Sequence, residues 1–392
     1  MALERGAGRR PPALDGWRAA VHEYVKCVNE AEIDMHVGPL AAIADDRAHL
    51  DRLEARLARM RERELRRGAH PVRHEARAEL LAWSEDGDAV SVRLRLHLKR
   101  SLSFGGAAYT EEKLETEHIR LERPRGAWRV TAVEPEVAER RPEAADIAER
   151  HPSDGTGDIA ERLPSAAFEA GRRPSAAAAD APHTPDDDDG PADARSAKER
   201  EGPALPPPYI NSRLLPHFRT DRAGIPYRRD LAAAYADRWW NEPNPAYVKF
   251  EVNCTNYVSQ CLFAGHAPMN YTGRRDSGWW YKGRSGGREL WSYSWAVSHA
   301  LQSYLAKGAP YGLRGVRVES PSDLALGDVI FYDWDGDGRF QHSTIVTAFD
   351  SAGMPLVNAN TTASRHRYWD YRDSYAWTER TRYRFFHIAD EF

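Results

Sequence analysis

The chain has 392 residues, a formal charge of −4, 41% hydrophobic residues and three cysteines. That length suggests two or three domains, and near-neutrality gives no global argument for a nucleic-acid partner. Cys27, Cys254 and Cys261 are too few for a disulfide framework, and the seven-residue step between the last two fits no redox or zinc motif. No metal or other cofactor is expected. No stretch approaches the roughly 20 apolar residues of a membrane span, and no apolar segment follows the N-terminal arginines. The expected setting is cytoplasmic, with no membrane partner.

In chain order, Trp17, Val21, Tyr24, Val25 and Val28 recur at helical spacing, as do Leu50, Leu53, Leu57 and Met60. The period then changes to two: Val90, Val92, Leu94, Leu96 and Leu98 alternate with polar residues and predict a strand with one solvated face. Segments 72–83, 113–122 and 128–133 complete about four strands. Residues 1–140 therefore read as a small α+β domain, and helices followed by an antiparallel meander resemble an NTF2-like or cystatin-like cone. Such a module suits packing or dimerisation.

Residues 141–208 read as a disordered low-complexity linker, rich in Ala, Pro, Asp and Gly, with an acidic run at Asp186–Asp189. Asp-Ile-Ala-Glu-Arg occurs there at Asp146–Arg150 and again at Asp158–Arg162. Residues 209–392 are aromatic-rich and form the second domain. Helices are predicted over 230–240, from Cys254 to near Gly265, and over 294–305. Strands follow at 329–333, 342–349, 355–359 and 383–388. The whole is α+β.

A cysteine opening a helix feels the positive end of the helix dipole, which favours the nucleophilic thiolate. His342 begins a β-branched run after a hairpin, a context that His299 and His387 lack. A helix-start cysteine with a histidine on a later strand is the outline of a papain-like thiol hydrolase. Cys27 and Cys261 read as core. Asn358 and Asn360 stand two apart on the following strand, so both point to one face. Asp333-x-Asp335-x-Asp337-Gly338 matches half a calcium loop, but Thr344 stands where the loop wants Glu. The segment therefore reads as a hairpin turn. Trp279, Trp280 and Tyr281 lie in a Gly/Arg-rich loop and are expected either to wall a substrate groove or to plug the helical lobe.

The C-terminal part resembles the putative amidase domain family, papain-like hydrolases related to NlpC-like and CHAP domains. The resemblance rests on Asn253-Cys254-Thr255-Asn256-Tyr257-Val258-Ser259-Gln260, Trp279-Trp280-Tyr281, Leu326-Gly327-Asp328 and His342-Ser343 with Ile345-Val346-Thr347. It implies Cys254 as nucleophile, His342 as general base and a polar third residue, Asn360 before Asn358. The oxyanion would be met by the Cys254 N–H, with Asn253 or Tyr247 as a side-chain donor. The implied reaction is thiol-dependent hydrolysis of an amide in a peptide-like or peptidoglycan-fragment substrate. An acyltransferase and a non-catalytic papain-fold binding module are the alternatives.

Overall fold

The computed structural model describes residues 16–140, 224–285 and 288–392. The linker expected over 141–208 lies outside the described residues. The chain is a mixture of helices and antiparallel sheet, as the residue patterns imply.

The N-terminal part opens with helices α1 (Trp17–Asp34), α2 (Gly38–Ala41) and α3 (Arg47–Arg67). Helix α3 starts at Asp46, whose side chain accepts from the His49 N–H, and ends at Gly68 with φ 70°. A side-chain acceptor and a left-handed glycine satisfy the orphan backbone groups of the two ends. Four strands follow: β1 (His70–Asp86), β2 (Ala89–Phe104), β3 (Ala107–Glu122) and β4 (Arg129–Pro135). The alternating residues of β2 bury one face against α1 and α3, with Val90, Val92, Leu94, Leu96 and Leu98 all in that core.

The C-terminal part contains helices α4 (Arg229–Trp239), α5 (Cys254–Ala264), α6 (Tyr293–Ala296) and α7 (Ser298–Lys307). The helix expected over 294–305 is thus two helices, broken at Val297, whose φ of −120° and ψ of 125° are extended. A hairpin of β5 (Tyr281–Ser285) and β6 (Arg288–Trp291) precedes them. Strands β7 (Gly315–Val318), β8 (Val329–Asp333), β9 (His342–Phe349), β10 (Pro355–Ala359), β11 (Ser364–Tyr368) and β12 (Arg382–Ile388) follow.

One ten-stranded sheet runs through both parts in the order β1-β2-β3-β11-β10-β9-β8-β12-β7, with β4 also on β3. The junction is the antiparallel β3–β11 pair, Lys113 opposite Ser364 and Glu112 opposite Arg365. Two cores lie around the C-terminal strands. One, with Val258, Phe331 and Ile345, is shared with the helices; the other holds Tyr332, Trp334, Val346, Val357 and Tyr371. Period-two alternation therefore sends Val329, Phe331 and Ile345 to the first core and Ile330, Tyr332 and Val346 to the second.

Candidate functional site

Cys254 is the first residue of α5 and is fully buried, and the other residues of that helix are at most 9% exposed. Its Sγ lies 3.8 Å from Thr255 Oγ1, and Thr255 Oγ1 lies 3.0 Å from Ser343 Oγ on β9. The helix start is held by amides. The Asn253 N–H donates to Thr361 Oγ1 at 3.0 Å, and Asn253 Nδ2 donates to Asn360 Oδ1 at 2.7 Å. Asn253 Oδ1 accepts from the Phe250 N–H and from Asn256 Nδ2. Asn360 Nδ2 in turn donates to the Trp239 and Trp240 carbonyls at the end of α4, both at 2.9 Å. The Asn253 amide expected to meet an oxyanion is thus committed to a clamp joining α4, α5 and the segment after β10. Tyr247, the other expected donor, packs its ring 5.1 Å from Tyr281 and 6.1 Å from Trp295.

His342 lies on the other face of β9. It pairs with Tyr332 across β8, and its ring sits 5.5, 5.8 and 5.3 Å from those of Tyr332, Trp334 and Tyr371. Its neighbour Ser343 faces α5, and alternation sends His342 away. Neither ring nitrogen has a hydrogen-bond partner, so no Cys254–His342 hydrogen bond exists in this arrangement. Complete burial, with the positive charge of Arg367 adding to it, lowers the imidazole to about 3. The ring is neutral at pH 7.

The two asparagines do share a face, as their spacing implies, but it is the helix face and not that of His342. Asn358 Oδ1 accepts from Thr347 Oγ1 and the His366 N–H, and its Nδ2 donates to Asp237 Oδ1. Asn360 is occupied by the clamp. Neither orients His342.

Trp279, Trp280 and Tyr281 are buried, as a plug of the helical lobe would be. They are 0%, 2% and 1% exposed, and their polar atoms are satisfied internally. Trp279 Nε1 donates to Ser259 Oγ, Trp280 Nε1 to the Arg274 and Ser277 carbonyls, and Tyr281 Oη to Glu289. The loop composition suggested exposure, yet their area is spent in the core beneath α5. Cys261 and Cys27 are buried as expected, and burial raises the thiol of each. The Asp333 carboxylate accepts from the N–H groups of Gly336, Asp337 and Gly338, which is turn chemistry. Asp328 binds Arg229, His387 and the Ile388 N–H and so ties the entry of β8 to α4 and β12.

One polar group on the helix side escaped the sequence reading. His366 Nε2 lies 3.1 Å from Asp237 Oδ1, which also accepts from Asn358 and Arg365. Burial raises the Asp237 carboxyl, but hydrogen bonds from His366 and Asn358 outweigh it and hold the group below its usual range. His366 adopts a φ of 52°, a left-handed conformation that non-glycine residues rarely take. Neither that backbone strain nor the Asp237 contact is visible in sequence.

Residues 226–386 match the family described as "Putative amidase domain". That amidase-like half also resembles "Uncharacterized protein YhbB" of Bacillus subtilis (strain 168), 53% identical over 174 residues, covering 44% of this chain and 52% of that protein. "Uncharacterized protein YjcM" of the same organism is 29% identical over 130 residues, covering 31% of this chain and 28% of that one. The chain thus spans about half, or less, of the length of these relatives. A crystal structure of the intermembrane space region of chloroplast protein ARC6 is 19% identical and covers 32% of this chain and 98% of its own. Its TM-score of 0.23 carries no fold argument. Among the described residues no helix is long and apolar enough to cross a membrane, and no group of three or more His, Cys, Asp or Glu side chains could hold a metal ion.

Proposed function

We propose that the amidase-like half is a papain-like thiol amide hydrolase with Cys254 as nucleophile. The observation that carries this reading is the position of Cys254 at the head of a buried helix in a segment matching an amidase family. The helix dipole and first-turn N–H groups then act on sulfur in a low-dielectric setting. The thiolate attacks the amide carbonyl carbon, the amine leaves with a proton, and water cleaves the resulting thioester.

His342 is the proton carrier in this reading. It must reach the α5 face, and a one-residue shift in the register at the start of β9 would turn it there. The imidazole has no hydrogen bonds to lose in turning. Its cost is aromatic packing. Asn360, before Asn358, is the proposed polar third residue, and a peptide-like or peptidoglycan-fragment amide the proposed substrate.

A non-catalytic binding module is the second reading, favoured by the full burial of Cys254 and by the absence of a hydrogen bond between Cys254 and His342. Alkylation at neutral pH, read by mass spectrometry, separates the two. The hydrolase reading expects selective labelling of Cys254 over Cys27 and Cys261. It also expects amide cleavage to fall by about 10³-fold or more in Cys254→Ala, with an unchanged thermal midpoint. An inert Cys254, or cleavage undiminished in that variant, overturns it.

A further inference from the structure

A cleft of about 630 Å³ runs between α1 and β1, far along the sheet from Cys254. His74, Glu75, Ala76, Arg77 and Ala78 all line it. Successive strand residues point to opposite faces, so a cavity touched by five in a row follows the edge of the strand. That edge is open. Among the described residues β1 pairs with β2 alone and ends the sheet, leaving outward N–H and C=O groups without a strand partner.

The other wall is a stripe of α1 from Trp17 to Asn29, about 18 Å long at 1.5 Å per residue. His74 to Leu80 spans about 20 Å of strand. Val21, Val25, Ala76 and Leu80 supply apolar surface between the walls. An edge strand facing a helix across an apolar groove is the geometry in which an extended peptide adds as a further strand.

One feature selects the occupant. Arg18, Lys26 and Arg77 line the cleft with Glu75; Lys26 is held by Glu23 and Glu30 and Glu75 by Arg73, so Arg18 and Arg77 are the cations the cleft offers. We propose that this cleft binds a short, extended, acidic peptide segment by strand addition to β1. The bulges of β1 at Pro71/Arg73 and Leu80/Ala82 bound the straight stretch to the residues lining the cleft. They favour a segment of about seven residues over full-length pairing with the β1 of a second copy.

The test is fluorescence anisotropy with the full chain and a labelled peptide alternating Val with Glu or Asp. Three comparisons accompany it: the same peptide N-methylated at alternate amides, a version with Lys for the acids, and the Arg77→Glu variant. Arg77 is exposed and outside the core, and circular dichroism checks its fold. Saturable binding of the acidic peptide is expected, weakened at least tenfold in each of the three comparisons. Binding of the N-methylated or the Lys peptide as tight as the acidic one overturns the proposal, as does no binding of the acidic peptide. So does sedimentation showing a dimer that Arg77→Glu dissociates, since the edge would then belong to a second copy.

Discussion

At the scale of single residues, His342 is the most unusual group in the C-terminal half. A buried imidazole with two unpartnered nitrogens among aromatic rings is stable only while neutral. Its folded value of about 3 lies below the unfolded one near 6.5. Between those values the unfolded chain binds the extra proton, so this contribution is complete above about pH 6.5 and is lost as pH falls toward 3. His342→Phe keeps the aromatic contacts and removes the titration. Its urea midpoint should fall less steeply than that of the parent between pH 6 and pH 4, the difference approaching about 1.4 kcal/mol per pH unit. Parallel slopes in the two proteins would mean that His342 is hydrated or paired in solution.

At the scale of elements, the head of α5 depends on Asn360. Removing its side chain leaves the Trp239 and Trp240 carbonyls and Asn253 Nδ2 without partners in a largely buried setting. Asn360→Ala should therefore cost about 2–3 kcal/mol in chemical denaturation. It should also slow any reaction of Cys254, because the helix start would no longer be fixed. An Asn360→Ala protein as stable as the parent would assign the clamp no weight. The start of α5 was legible, since Asn-Cys-Thr-Asn before an apolar run marks a helix head, and strands β8 to β10 were legible from their apolar runs. Period two also gave Asn358 and Asn360 a common face. Which face that was, and that His342 took the other, could not be read. That depends on which core each apolar neighbour joins, a tertiary choice. Strand β11, Ser-Arg-His-Arg-Tyr, was missed because its polar residues are satisfied by ion pairs and not by an apolar face.

At the scale of the whole molecule, a network of buried charge joins the two halves beside the shared sheet. Helix α3 presents Arg59, Arg63 and Arg67 at four-residue steps to the C-terminal half. Arg59 donates to the Arg372 and Ser374 carbonyls, Arg63 lies 3.2 Å from Asp370 and 3.6 Å from Asp373, and Arg67 lies 3.0 Å from Asp350. From the other side, Arg367 pairs with Glu139 at 3.0 Å and with Asp373 at 3.1 Å, while Lys113 reaches Asp373 at 3.3 Å. Burial pushes the Asp373 carboxyl up, but Arg367, Lys113 and Arg63 together hold it well below its usual range. Such a network gains little over a well-packed apolar interface, yet breaking it is costly because the surviving charges stay buried. Arg63→Met should therefore destabilise the protein by about 3–5 kcal/mol, far more than an exposed arginine would. The same logic extends to dissection. A fragment beginning near residue 209 would leave Arg367, Asp370 and Asp373 without the N-terminal charges and strand β11 without β3. The full chain should then melt in one calorimetric transition, and the fragment should melt lower or fail to fold. Two separate transitions, with the fragment as stable as the second, would show that the shared sheet and the arginine ladder do not couple the halves.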